Sequence, residues 1–392
     1  MNSSTIEYHK KELPPRIQTI GIVLFIAGLI LVILSYSVNS TRSSYNNIIG
    51  CIFLVSVGVG SLFFVALEYV AGAVWSTPFR RVIEFISFVI VLLPLLVIPL
   101  LINVNTIFDW THPAPADAMM LSKAPYLNVN FFIIRVIVFW LLWVGFYFFI
   151  VRNSKQQDET KDQMHTSRNI KLSAVFMPVF AITISFAAID WLMSLQPNWF
   201  STIFSVYYFS GTVLAALAAG TICIVLLNES GYLVIGLKSD HYYSLGALLF
   251  AFINFWAYIA FSQYLLIWYA NLPEETVWFI ARWHGSWKII SVGLVIVHFV
   301  IPYFGLLSQP SKMNPKRLLV MAGWILFAHY YDLYWLVMPN FSKEGFVFGW
   351  MELSFPILIA GIIILAFTYK SKRQNLVPIG DPKLKRGIDF RL

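Results

Sequence analysis

The chain has 392 residues, of which 59% are hydrophobic and only 12% charged, and its mean hydropathy is +0.73. A soluble globular domain carries about 25% charged residues, so a soluble fold is excluded and an all-α polytopic membrane protein is expected. The net charge of +8 is scattered over many loops with no recognition module beside it, which argues against a nucleic-acid partner.

Ten apolar segments follow one another, at 17–37, 47–75, 82–102, 130–151, 173–194, 200–228, 244–270, 288–308, 316–338 and 350–369. Each reaches the roughly 20 residues that a helix needs to cross hydrocarbon. None alternates with a period of two, so helices are expected rather than a membrane barrel. The first follows a polar segment, 1–16, and lacks a small-residue cleavage pattern, so it reads as a retained helix and not a signal peptide.

The connections carry the orientation. Lys10, Lys11, Arg16, Arg80, Arg81, the cluster Arg152–Lys171, Lys238, Lys312, Lys316, Arg317 and the basic tail 370–392 all fall on one side. The opposite side has only Arg42, Lys123, Arg282, Lys288 and Lys343. The positive-inside rule therefore places both termini in the cytoplasm. The tail is expected to meet anionic lipid headgroups. The polar stretch 152–172 is expected to be a cytoplasmic connection.

Two outer loops stand out. Residues 103–129 contain Pro113, Pro115, Asp117 and Lys123, and the prolines suggest an ordered loop without a regular helix. Residues 271–287 interleave Glu274, Glu275, Arg282 and His284 with Trp278, Phe279, Trp283 and Trp287. They read either as an amphipathic element at the membrane interface or as a docking surface for an external partner.

Only Cys51 and Cys223 occur, with no CxxC or CxxCH. Covalent c-type haem and thiolate-held iron–sulfur clusters are excluded from this chain. If it serves redox chemistry, metal centres elsewhere must carry the electrons.

Ionisable residues within the apolar segments are the sharpest functional signal, because charge is costly in hydrocarbon and faces a protein interior or a wet cavity. His298, His329 and Asp332 lie deepest, and Glu68 sits in the inner half of its segment. Imidazoles and carboxylates suit proton transfer, so these four are the candidates for a proton route. Tyr258, Tyr264, Tyr330, Tyr331, Tyr334, Asn254 and Gln263 are expected to supply orienting hydroxyls and amides. Arg135 and Asp190, near the outer ends of their segments, form a candidate outer polar site. For each residue the plainer alternative is a structural ion pair or a buried hydrogen bond.

Residues 190–211, DWLMSLQPNWFSTIFSVYYFSG, combine Asp190 and Trp191 with Pro197, the Trp199–Thr202 run and an aromatic helix start. This stretch resembles the membrane subunits of bacterial alternative complex III, in the polysulfide reductase NrfD-like family, and the likeness extends through all ten segments. The resemblance implies an integral membrane domain over 17–369 built from two four-helix bundles, approximately 47–194 and 200–338, with peripheral helices at either end. Chain length and short tails are similar to the smaller membrane paralogue. The implied role is an accessory subunit of a quinol:cytochrome c or oxidase electron-transfer complex in the bacterial inner membrane. It would provide a proton-conducting or coupling element without being catalytic alone. Implied partners are a larger membrane paralogue, periplasmic multihaem cytochrome c and iron–sulfur subunits, a terminal oxidase and membrane lipids, with menaquinone or another quinone in the complex. A quinone site of its own, or a purely structural scaffold, are the alternatives. No histidine occurs in segments two to five, which weighs against a complete quinol-oxidation site here.

Overall fold

The computed structural model describes residues 12–113, 118–233 and 236–392. Lys10, Lys11, Pro115 and Asp117 lie outside them, as does most of the polar segment 1–16. The long helices are α1 (Pro15–Val38), α2 (Ser40–Ala71), α3 (Thr77–Ile102), α4 (Val129–Thr160), α5 (Met164–Trp191), α6 (Phe204–Glu229), α7 (Ser239–Ala270), α8 (Trp287–Leu306), α9 (Pro315–Val337) and α10 (Trp350–Arg373). Among the described residues there is no strand, and nine of these helices are long and apolar enough to cross a membrane. The protein is an all-α, multi-pass membrane protein.

The exception is α9, the expected segment 316–338. It forms a 23-residue helix, long enough to cross, but Lys316, Arg317, His329, Asp332 and three tyrosines dilute its apolar character. Lodged between α2, α6 and α8, it meets protein where a peripheral helix meets lipid, so it need not be apolar all round.

The polar connection expected at 152–172 is mostly helical. α4 runs to Thr160 and α5 begins at Met164. The turn is made at Lys161, whose φ of 55° lies in the left-handed region, as helix C-caps often do. Apolar patterning stops where hydrocarbon ends, but the helical hydrogen bonds continue beyond it. α5 consequently includes His165. In the loop 103–129 short helical turns form at Val104–Ile107 and Ala118–Lys123, and Trp110 is buried against Phe108 and Phe132.

Prolines shape two of the spans. Pro94 and Pro99 divide α3, which passes through a 3₁₀ stretch at Phe88–Leu92. In α8 a π-helical turn spans Val295–Val300. Pro302, four residues after His298, has no N–H to offer the His298 carbonyl, and its ring crowds that oxygen. The widened turn just before it absorbs the mismatch and carries the His298 side chain inward.

α2 and α6 are the most enclosed helices and pack on each other. α2 also packs on α3, α5 and α9, and α6 on α5, α7 and α9; α4 packs on α5, and α8 lies against α7 and α9. One continuous hydrophobic core runs through all of them. α1 and α10 form an outer pair, with α1 burying only Gly21, Gly28 and Ser35. Large apolar side chains such as Ile30, Phe149, Phe261 and Leu266 are exposed around the outside, as a lipid-facing surface requires.

The start of α1 and the end of α10 share one end of the bundle. Lys372 at the end of α10 donates to Gln18 in α1 (2.5 Å). At the opposite end Arg42 makes a two-pronged ion pair with Glu352 (2.6 and 2.7 Å), and Asn46 and the Gly349 backbone N–H donate to the same carboxylate. This pair fastens α10 to α2. Replacing Glu352 with Ala is expected to destabilise the detergent-solubilised chain by about 3 kcal/mol, the low end for a broken buried pair because Arg42 keeps some solvent. Thermal unfolding reads the loss, and unchanged melting of E352A would show the clasp to be dispensable.

Candidate functional site

Five helices converge near the middle of the bundle. α8 contributes His298, α9 contributes His329 and Asp332, α6 contributes Tyr207, Tyr208 and Thr212, α7 contributes Trp256, and α2 contributes Ser56. One donor atom from each of His298, His329 and Asp332 lies within 4.8 Å of the other two. All three side chains are at most 2% exposed.

His329 and Asp332 are three apart on α9, so they share a face. Asp332 accepts hydrogen bonds from the Tyr207 hydroxyl and from Trp256 Nε1 (3.1 Å). His329 Nε2 meets Ser56 Oγ at 3.0 Å, and Ser56 in turn touches the Tyr208 hydroxyl (3.2 Å) and Thr212 Oγ1 (3.4 Å). The His298 ring lies flat on Trp256, with centroids 3.7 Å apart and planes 23° from parallel. Among the described residues, neither ring nitrogen of His298, nor Nδ1 of His329, has a hydrogen-bond partner. Most buried polar groups are satisfied, so three open imidazole nitrogens beside one carboxylate set this cluster apart.

Two glycines make the arrangement possible. A Cβ on Gly60 of α2 would stand 2.7 Å from the Thr212 carbonyl oxygen, so its absence lets α2 and α6 close up. A Cβ on Gly211 would fall 2.8 and 2.9 Å from His329 Cε1 and Nδ1.

The remaining expected site residues lie elsewhere. Glu68 is 12 residues beyond Ser56 on α2, which places it about 18 Å along the helix. It belongs to a buried network at the end of the bundle where α10 ends and the tail folds back. Arg80 reaches Glu68 (3.0 Å), Glu84 (3.3 Å) and Asp381 (2.7 Å). Arg81 lies 2.9 Å from both Glu84 and Asp158, as ion contacts too bent for good hydrogen bonds, and donates to Ser154. Arg80 and Arg81 read from sequence as loop cations, yet both are fully enclosed. Asp381 comes from the tail, which folds back and buries Leu376, Val377 and Leu384 while Lys385 and Arg386 stay exposed.

Arg135 and Asp190 do meet. Arg135 donates to both Asp190 oxygens (2.6 and 3.1 Å) and to the Tyr126 carbonyl, and the Tyr126 hydroxyl donates to Asp190 (2.9 Å). The guanidinium lies over the Tyr126 ring at 3.9 Å. Both carboxylate oxygens are thus occupied, so the pair clamps α4 to α5.

The orienting groups around the cluster are mostly not those that sequence proximity suggested. Tyr258 and Tyr264 are exposed. Tyr331 donates to the Ile290 carbonyl, Tyr334 to the Val347 carbonyl and Asn254 to the Phe250 carbonyl. Gln263 is buried and Tyr330 half-buried, and among the described residues the Tyr330 hydroxyl and the Gln263 carbonyl oxygen are unpaired. Tyr207, Trp256 and Ser56 do the orienting instead. Tyr207 lies inside the Asp190–Gly211 stretch, where its position next to a second tyrosine was the available signal.

Beyond the cluster, the helix Pro273–Ala281 turns Trp278 inward against Trp199 (4.8 Å, near-parallel) and leaves Val277 and Ile280 exposed. Arg282 next to it is buried among the carbonyls of Trp278, Trp335 and Leu336 and lies 3.5 Å over the Trp278 ring. It caps the end of α9, where a cation is favoured by unpaired carbonyls. Burial pushes its pKa well below the ordinary arginine value.

Compared with known proteins, the chain matches no family model and no curated protein.

Two substitutions separate packing from chemistry. Arg135→Ala strands Asp190 in a dry interior and is expected to cost about 3–5 kcal/mol, seen as a lowered unfolding temperature that Arg135→Lys partly restores. Gly211→Ala forces the His329 ring aside and is expected to cost about 1–3 kcal/mol. Imidazole resonances of ¹⁵N-histidine-labelled protein should shift at His329 and not at His112; unmoved His329 signals would contradict the contact.

Proposed function

We propose that this chain is an accessory membrane subunit of a respiratory, quinol-dependent electron-transfer complex in the bacterial inner membrane, with both termini cytoplasmic. Its own contribution is proton handling at His298, His329 and Asp332. The family suggested by the Asp190–Gly211 stretch supports the setting, and the distribution of loop cations supports the orientation. The observation that carries the proton role is the cluster itself, with three unpaired imidazole nitrogens next to a carboxylate inside the apolar core.

Chemically, an imidazole with a free nitrogen can take up or release a proton without first losing an internal hydrogen bond. The Tyr207 hydroxyl on Asp332, and Ser56 linking His329 to Tyr208 and Thr212, extend hydrogen-bonding groups away from the cluster in two directions. Electrons would travel through haem and iron–sulfur partners, since Cys51 and Cys223 are separate free thiols. The scaffold reading has support of its own at Glu68, Arg135 and Asp190, which are held in ion pairs joining helices.

His329→Gln and Asp332→Asn, assayed in the intact complex, are expected to lower quinol-dependent turnover and proton release at least about tenfold, within the range for loss of a positioned acid–base group. Subunit composition should stay normal. Turnover and proton release equal to wild type in both variants would sink the proton role.

A further inference from the structure

We infer that His298, His329 and Asp332 form a binding site for a divalent transition-metal ion. The inference rests on the proton reading only in taking this cluster as the working centre of the chain.

The donor set comes first. Two imidazoles and one carboxylate suit zinc, iron or cobalt, whereas magnesium and calcium prefer oxygen alone and monovalent copper prefers sulfur. One donor atom from each residue already lies within 4.8 Å of the other two. Ligands bound to zinc at about 2.0–2.2 Å sit closer together than that, so closure needs side-chain movement on the order of 1 Å. The side-chain torsions of the two histidines can supply it.

The surroundings have the form of an outer shell. Metal-bound histidines and carboxylates are usually held by further hydrogen bonds that fix tautomer and aim. Here Ser56 holds Nε2 of His329, leaving Nδ1 open. Trp256 and Tyr207 hold Asp332 from its two oxygens. Trp256 also supports the His298 ring from one face, and the π-helical turn directs that ring into the core. His298, 1% exposed, stacks on Trp256, and among the described residues neither of its nitrogens has a hydrogen-bond partner. A metal–nitrogen bond answers that unpaired state in a way that tighter packing does not.

The test uses the purified full-length chain in lipid nanodiscs, stripped with a chelator and reloaded with Zn²⁺ or Co²⁺. Wild type is expected to retain about one ion per chain, with cobalt d–d bands and imidazole scattering in X-ray absorption, as for a mixed nitrogen–oxygen site. His298→Gln and Asp332→Asn should bind at least about tenfold more weakly, while His112→Gln at the exposed surface binds as wild type. Trp256→Phe keeps an aromatic ring, removes the donor to Asp332, and should also weaken binding if the first variants fail to fold. No stoichiometric retention by wild type, or equal retention by every folded variant, overturns the inference. Metal loss in the variants with unchanged proton release supports it and removes the proton reading. Slowed proton release without bound metal in wild type does the reverse.

Discussion

A charged or hydrogen-bonding side chain in an apolar interior must find partners there, because neither lipid nor a packed core supplies any. The helices of this protein are arranged around that requirement. Arg80 and Arg81 draw carboxylates from α2, α3, α4 and the tail into one network. Arg135 joins α4 to α5 through Asp190, and Arg42 joins α2 to α10 through Glu352. Arg282 has no carboxylate partner among the described residues and uses helix-end carbonyls and tryptophan faces instead. Apolar packing between membrane helices is weakly discriminating, since lipid tails are as apolar as leucine. These polar contacts specify which helix sits beside which.

Against that background the central cluster is an exception in kind. Elsewhere Arg80, Arg81 and Arg135 are matched by carboxylates, which fixes the helices in place. At His298 and His329 acceptor and donor capacity stays open although the residues are as enclosed as any in the molecule. The neighbours invest in orientation: Trp256 stacks on one residue and donates to another, and Ser56 reaches across from α2. Reactive potential in a rigid frame is what proton transfer and metal binding both demand. Gly60 and Gly211 let the frame be this tight.

Much of the fold was legible because crossing hydrocarbon leaves a coarse signature. Uniformly apolar runs near the required length marked nine candidate spans, and the more diluted run 316–338 marked the helix α9. The limits of the helices were less visible. The turn between α4 and α5 shrinks to a few residues because helical hydrogen bonds continue where apolarity stops. The depth of His298, His329 and Asp332 was also readable, since counting residues along a helix converts directly to height. Rotation about the helix axis was not, and it decides that Tyr331 and Tyr334 serve other carbonyls while Tyr207 reaches Asp332.

By itself, the sequence determined that the chain is a helical membrane protein and that a few ionisable groups lie inside it, because both depend on composition along single segments. Which of those groups meet depends on how the helices pack. Glu68 and the Arg135–Asp190 pair became ties between helices, whereas His298, His329 and Asp332 came together from two different helices with nitrogens unpaired. The reason is geometric. Contacts between helices depend on their rotation and close approach, which are set by side chains distant in sequence, such as Gly60 against Thr212, and no local pattern encodes them.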